Sequence, residues 1–106
     1  MFRLRQSGPD RSDATAPYEV LFQKECTVDQ FLKEVLENRS DEWGYIRIRR
    51  RTTDEGVSWF HLPCMEYRYG NVVSGDFSEA MKAEKICSAA ASGGWGAMDY
   101  ILEIDG

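Results

Sequence analysis

The end of the chain alternates apolar and polar side chains with a period of two residues. One set of positions holds Met98, Tyr100, Leu102 and Ile104, and the other holds Asp99, Ile101, Glu103 and Asp105. Because successive side chains of a strand point to opposite faces of a sheet, this alternation predicts a strand with one core-facing side. Three glycines around Trp95 predict a tight reversal before this strand. Residues 84–91 are therefore predicted to be its hairpin partner.

Residues 26–38 have a helical period instead. Their apolar stripe comprises Val28, Phe31, Leu32, Val35 and Leu36. This spacing of i, i+3, i+4 and i+7 predicts an amphipathic helix. Thr27 and Gln30 are spaced as a capping box, in which each side chain accepts a hydrogen bond from the backbone N–H of the other residue. The stripe predicts that this helix packs across one face of a sheet.

The remaining patterns predict further strands and one short helix. Alternation predicts strands at residues 18–24, 43–51, 57–62 and 65–69, and Pro63 should interrupt the ladder because proline has no N–H to donate. Asp76 and Glu79 are spaced as a second capping box, which predicts a short helix within residues 74–83 that ends near residues 82–85. The predicted fold class is α+β. It is a mainly antiparallel sheet with one amphipathic helix packed across a face, in the order β-α-β-β-β-(short α)-β-β.

Length and composition predict one domain. A chain of 106 residues with 42% hydrophobic content suits a single core, which we place in residues 17–106. Residues 1–16 are predicted to be a disordered tail that the fold does not need, because they show almost no apolar period. No apolar run is long enough to span a membrane, so a cytoplasmic location without membrane partners is expected. The net charge is −5, and an acidic chain has little general affinity for nucleic acid.

Candidate chemistry is sparse. The three cysteines, Cys26, Cys64 and Cys87, are odd in number and widely spaced, which is typical of neither a disulfide framework nor a zinc site. His61 stands three residues before Cys64, a spacing open to a pair of metal ligands or a thiol with its base. A zinc site needs three or four ligands, and a backbone kink at Pro63 can turn the two side chains in unrelated directions. No catalytic residue, metal ligand or cofactor is therefore predicted, and a cysteine-dependent enzyme is the second alternative.

Arginine and aromatic side chains form the one constellation that predicts a binding surface. Its members are Tyr45, Arg47, Arg49, Arg51, Trp59 and Tyr67. Arginine and aromatic residues are enriched in protein interfaces, and they can also hold a phosphate backbone while bases stack. An excess of carboxylates, including Asp99 and Glu103 on the outward side of the last strand, favours a protein partner. The predicted function is a non-enzymatic interaction protein, with single-stranded nucleic-acid binding as the alternative.

Two segments of the chain carry a resemblance. Ala91-Ser92-Gly93-Gly94-Trp95, followed by Met98-Asp99-Tyr100, resembles a motif of small uncharacterised proteins from phages and integrative elements of Gram-positive gut bacteria. The helix beginning at Thr27 and the segment Trp43-Gly44-Tyr45-Ile46 are similar to theirs too, so the likeness covers residues 18–104. The resemblance implies an accessory or regulatory protein of a mobile element. It implies no activity, cofactor or catalytic residue.

Overall fold

Short strands make up most of the fold. A computed structural model of the protein describes residues 2–6, 18–94 and 96–105. The strands are β1 (Arg3–Gln6), β2 (Tyr18–Leu21), β3 (Trp43–Arg50), β4 (Cys64–Arg68), β5 (Asn71–Ser74), β6 (Ile86–Gly94) and β7 (Ala97–Ile104). The helices are α1 (Val28–Asn38) and α2 (Glu79–Lys82), and Trp59–His61 forms one 3₁₀ turn.

The described strands form one mixed sheet in the order β1-β2-β6-β7-β3-β4-β5. Every neighbouring pair is antiparallel except β3 and β7, which run parallel at its centre. The α+β prediction with a predominantly antiparallel sheet is confirmed. The parallel pair was not predicted, because it joins segments whose partners lie more than fifty residues apart in the chain.

Helix α1 covers one face of this sheet, as predicted. Val28, Phe31, Leu32 and Val35 are buried in a core that also contains Ile46, Ile48, Tyr100, Leu102 and Ile104 from the central strands. The capping box is confirmed in both directions. The Thr27 hydroxyl accepts from the Gln30 N–H at 3.2 Å, and the Gln30 side chain accepts from the Thr27 N–H at 2.9 Å. These two side chains thus fix the first turn of α1.

Thr27→Ala should lower the free energy of unfolding by about 1 kcal/mol, because it removes one of these two caps and leaves the Gln30 N–H without its side-chain acceptor. Urea denaturation followed by circular dichroism measures the change. Thr27→Ser keeps the hydroxyl and serves as the control. Equal losses in the two variants would mean that the hydroxyl does not cap the helix.

The hairpin predicted at the end of the chain is present. β6 pairs with β7 from Ile86 opposite Ile104 to Gly94 opposite Ala97. Gly93 and Gly96 have φ values of +145° and +88°, which residues with a β-carbon rarely adopt. The glycines around the reversal therefore serve the conformational role that the sequence suggested.

The strand predicted at residues 57–62 is wrong. Residues 59–61 form the 3₁₀ turn instead, and β3 makes its hairpin with β4 across the longer connection. The backbone N–H of Val57 donates to Asp54 and that of His61 donates to Ser58, so local turn bonds use the donors that a ladder would need. Pro63 still serves the sheet by its carbonyl, which accepts from Ile48 at 3.1 Å.

Strand β5 was not predicted, because the last predicted strand of this region ended at Tyr69. Tyr69 and Gly70 have φ values of +49° and +85°, as a type I′ turn requires at both central residues. Such a turn matches the twist of paired strands, so the chain continues directly into Asn71–Ser74. The tyrosine at the first turn position obscured the signal, because asparagine, aspartate or glycine is usual there.

The prediction of a tail without a role in the fold is wrong for residues 2–6. Phe2 is 3% exposed and lies in the core, and β1 pairs with β2 from Arg3 opposite Leu21 to Gln6 opposite Tyr18. The alternation of Phe2 and Leu4 with two arginines is a strand pattern too short to identify from sequence alone. Residues 7–17, which include the rest of the predicted tail up to residue 16, lie outside the described residues.

Helix α2 begins and ends close to its prediction. It ends at Lys82, within the predicted limit, but its N-cap is Ser78, whose hydroxyl accepts from the Met81 N–H at 3.2 Å. Asp76 instead accepts from the N–H of Phe77, so the predicted second capping box does not form. Met81 packs against the core, which places α2 on the same side of the sheet as α1.

Candidate interaction surface

The face of the sheet opposite α1 carries the side chains predicted to bind a partner. We call it the outer face and define it by alternate residues of the strands. They are Trp43, Tyr45, Arg47 and Arg49 of β3, Cys64, Glu66 and Arg68 of β4, Ser88, Ala90 and Ser92 of β6, and Asp99, Ile101 and Glu103 of β7. Both described helices pack on the other face. The outer face is consequently reached from solvent over its central strands.

Two aromatic side chains stand exposed on β3, an inner strand of the sheet. Trp43 is 41% exposed and Tyr45 is 39% exposed. The guanidinium carbon of Arg47 lies 5.0 Å from the centroid of the Tyr45 ring, within cation–π range. The backbone N–H of Tyr45 donates to Asp99 Oδ1 at 3.0 Å, which ties β3 to β7 at this point. Tyr45 and Arg47 therefore form one continuous contact area.

Arg49 and Arg51 lie farther along the same face, beside the connection that follows β3. With Glu55, Val57 and Glu103 they line an open cleft of about 560 Å³. Arg49 donates to the carbonyl of Val57 at 3.4 Å, and Glu103 accepts from Ser88 at 3.1 Å. Two arginines and two glutamates in one cleft suit a partner that itself carries both signs of charge.

The outer face continues onto β2 and β1, and over all these strands its positive and negative charges are close to balance. The arginines are Arg3, Arg5, Arg47, Arg49 and Arg68, and the carboxylates are Glu19, Glu66, Asp99 and Glu103. Arg49 lies opposite Glu103, and Arg5 pairs with Glu19. Five guanidinium groups among four carboxylates do not form the concentrated positive field that phosphate binding requires.

Tyr67 does not belong to this surface, so its prediction as a partner-binding residue is wrong. It pairs with Gly44, is 1% exposed and faces the core. Its hydroxyl donates to the Met98 carbonyl at 2.8 Å. Met65 and Tyr67 are two residues apart and therefore lie on the same face of β4. This apolar alternation in the sequence indicates that Tyr67 faces the core. The side chain of Trp59 lies outside the described part of the structure.

The residues considered for thiol chemistry do not form a catalytic pair. His61 lies exposed on the 3₁₀ turn, Cys64 begins β4 opposite Arg47, and no hydrogen bond joins these two described side chains. Burial raises the pKa of Cys64, and Asp99 and Glu66 raise it further, against the opposing effect of Arg47. Burial likewise raises the pKa of Cys26 and Cys87. All three thiols are thus disfavoured as thiolates near neutral pH.

Alkylation by iodoacetamide should accordingly be no faster at any cysteine than at free glutathione at neutral pH, since the thiolate is the reactive form. Peptide mass spectrometry over a time course gives the rate at each of Cys26, Cys64 and Cys87. A hyper-reactive Cys64 whose rate falls in His61→Ala would support the cysteine-enzyme hypothesis instead.

A buried polar network lies beneath the start of β3, and sequence reasoning missed it. Glu42 is 8% exposed and accepts from the Tyr100 hydroxyl at 2.6 Å. Arg39 forms an ion pair with Glu42 at 3.2 Å and donates to the Phe2 carbonyl at 3.1 Å. Burial and the neighbouring Glu42 carboxylate raise the pKa of Tyr67 and Tyr100, which keeps both phenols protonated as donors. The network fixes the first residues of β3, from which Trp43 and Tyr45 project.

The described residues offer neither a metal centre nor a membrane span. Over residues 2–6, 18–94 and 96–105, no three His, Cys, Asp or Glu side chains converge as metal ligands. Among the described helices, none is long and apolar enough to cross a membrane. No protein-family model, curated protein or solved structure matches the chain.

Proposed function

We propose that this protein is a non-enzymatic interaction protein that binds another protein through its outer face. The observation that carries the proposal is the exposure of Trp43 and Tyr45 on an inner strand, with Arg47 stacked on the Tyr45 ring. Tryptophan, tyrosine and arginine are enriched among the residues that dominate the binding energy of protein interfaces, and the aromatic side chains bury large areas. A sheet supports such anchors rigidly, so little ordering is lost on binding.

The balance of charges on this face favours a protein over a nucleic acid. Phosphate binding gains its free energy from arginines and lysines that displace counterions, whereas carboxylates repel the phosphates. Here Glu103 stands opposite Arg49, and Asp99 and Glu66 flank the Tyr45–Arg47 pair. A protein with its own mixture of acidic and basic groups can match these positions. Single-strand binding is the alternative, and the thiol enzyme is weaker because burial raises the pKa of each cysteine.

The sequence supports a setting for this function without naming the partner. The resemblance to mobile-element proteins supports a role as an accessory or regulator of such an element. The odd number and wide spacing of the cysteines support a cytoplasmic location, where thiols stay reduced. The partner is then another cytoplasmic protein.

The nucleic-acid alternative predicts binding that the proposal does not. We expect no binding of fluorescent single-stranded DNA or RNA at about 0.15 M salt, where screening acts beyond roughly 8 Å. Fluorescence anisotropy, titrated with protein into the micromolar range, measures this. If binding occurs, falls with a log–log salt slope near −0.7 per phosphate contacted, and is lost in the Arg47→Glu, Arg49→Glu double variant, the alternative is favoured.

The protein-partner proposal is tested with the same variant and a matched control. Lys24→Glu with Lys33→Glu produces the same change in net charge, but these lysines are exposed away from the outer face. Quantitative co-purification from cells of the source organism should recover a protein with the wild type and with the control, but not with Arg47→Glu, Arg49→Glu. Equal recovery with all three proteins would place binding elsewhere. Circular dichroism must show an intact fold in both variants.

A further inference from the structure

Strand β5 ends the sheet on one side and leaves its outer edge unpaired by the described residues. All four residues, Asn71–Ser74, are exposed, and Val72 and Val73 are 48% and 54% exposed. An edge of this kind presents backbone N–H and C=O groups ready to pair with another strand. Two adjacent β-branched residues increase its tendency to do so.

The two edges of the sheet differ in how they are protected. β1, at the other edge, carries exposed Arg3 and Arg5, and charged side chains are a common protection against edge-to-edge pairing. Antiparallel self-pairing of β1 about Leu4 places Arg3 opposite Arg5 of the second copy, which is repulsive. In contrast, residues 69–75 contain no charged side chain. Charged side chains therefore oppose self-association at the β1 edge, whereas no charged side chain opposes it along residues 69–75.

We infer that β5 pairs antiparallel with β5 of a second copy of this chain, about a two-fold axis perpendicular to the sheet. Such an axis places Val72 or Val73 opposite the same residue of the second copy, and both registers bring only Asn, Val and Ser side chains together. Strand β5 carries no charged or aromatic side chain that would favour one particular foreign strand over another. An isologous contact needs no such feature, because each side supplies the same residues.

The pairing of two β5 strands leaves no further β5 edge free, so it forms a closed dimer. Each copy uses its β5 edge, and the arginines of β1 block growth from the remaining edges, so the assembly stops at two chains. The two-fold axis keeps both outer faces on the same side of one continuous sheet. Because four residues per copy bury less than a standard interface, the dimer should be weak, with a Kd on the order of 10–100 μM.

Sedimentation equilibrium of the full chain tests this inference, at concentrations from about a tenth of the expected Kd to about ten times it. The wild type should change from monomer to dimer over this range. Val72→Lys, Val72→Glu, Val73→Lys and Val73→Glu should each weaken association at least about ten-fold, since like charges then meet at the shared edge. The control is Gln23→Lys, which adds a charge at an exposed position in the connection after β2 and should leave the dimer unchanged.

Mixing variants of opposite charge separates self-pairing from loss of fold. Val72→Lys with Val72→Glu, or Val73→Lys with Val73→Glu, should restore a heterodimer, and the pair that does so identifies the register. A wild type that stays monomeric, forms larger oligomers, or dimerises equally well in the single variants would overturn the inference. Failure of both mixtures to associate would overturn it as well. The proposed binding of another protein by the outer face does not depend on any of these outcomes, because that function is tested by substitutions at Arg47 and Arg49 and not in β5.

Discussion

Glu42→Ala is expected to lower the free energy of unfolding by about 3 kcal/mol, near the lower end of the range for breaking a buried ion pair. The substitution leaves the buried Tyr100 hydroxyl without its acceptor at 2.6 Å and removes the partner of Arg39. The Arg39 side chain retains 23% exposure, so water recovers part of its lost interaction. Urea denaturation monitored by circular dichroism measures the change.

Glu37→Ala is the matched control, because the same side chain is removed from the exposed side of α1. Surface substitutions of this kind stay within about 0.5 kcal/mol. Tyr100→Phe should lie between the two, at about 1.5–3 kcal/mol, since it deletes one hydrogen bond to a charged group. A Glu42→Ala variant as stable as Glu37→Ala would show that Glu42 is hydrated and that the network does not stabilise the fold.

Phe2→Ala should lower the free energy of unfolding by about 3–5 kcal/mol, although it changes only the second residue of the chain. The Phe2 ring stacks on Phe31 with 4.5 Å between centroids and meets the Tyr100 ring edge-on at 5.6 Å. The guanidinium carbon of Arg39 lies 4.1 Å from the Phe2 ring centroid and encloses its remaining side. Truncation therefore leaves a cavity inside an aromatic cluster.

Phe60→Ala provides the comparison for this second prediction. The Phe60 side chain is 89% exposed, so its removal should change the stability by no more than about 0.5 kcal/mol. If Phe2→Ala lost as little stability as Phe60→Ala, β1 would not be part of the stable fold. The sequence-based prediction of a dispensable tail would then be correct. Both variants should be made in the full chain, so that only the aromatic side chain differs.

The secondary-structure elements predicted most accurately are those whose sequence pattern lies within a few neighbouring residues. The stripe and capping box of α1 lie within about a dozen residues, and the alternation of β7 fixes which of its faces is buried. The hairpin of β6 and β7 follows from glycines next to the reversal. In each case the local backbone preference and the hydrophobic pattern agree, which is where inference from sequence is strongest.

The features that escaped prediction depend on contacts between distant parts of the chain. Phe2 is buried because Phe31 of α1 and Tyr100 of β7 pack against its ring once β1 has paired with β2. Glu42 resembles any acid in a polar turn until Tyr100, fifty-eight residues later, reaches it. The parallel pairing of β3 with β7 has the same origin. These contacts depend on topology, which no local period encodes.

The candidate surface was predicted in part. Tyr45, Arg47 and Arg49 share the outer face because β3 alternates regularly, and Arg51 follows them beside the cleft. Tyr67 was misassigned because its residue type was weighed above its strand parity. Trp43 was overlooked as a surface residue, although it lies two residues before Tyr45 on the same strand and therefore shares its face. Strict use of parity would have corrected both assignments.

Site-specific photo-crosslinking tests the protein-partner proposal most directly. A photoreactive phenylalanine analogue in place of Tyr45 lies on the outer face, and the same analogue in place of Lys33 lies on the exposed side of α1. After irradiation of cells of the source organism, we expect one discrete protein adduct at position 45 and none at position 33. A nuclease-sensitive adduct at position 45, or the same adducts at both positions, would contradict the proposal.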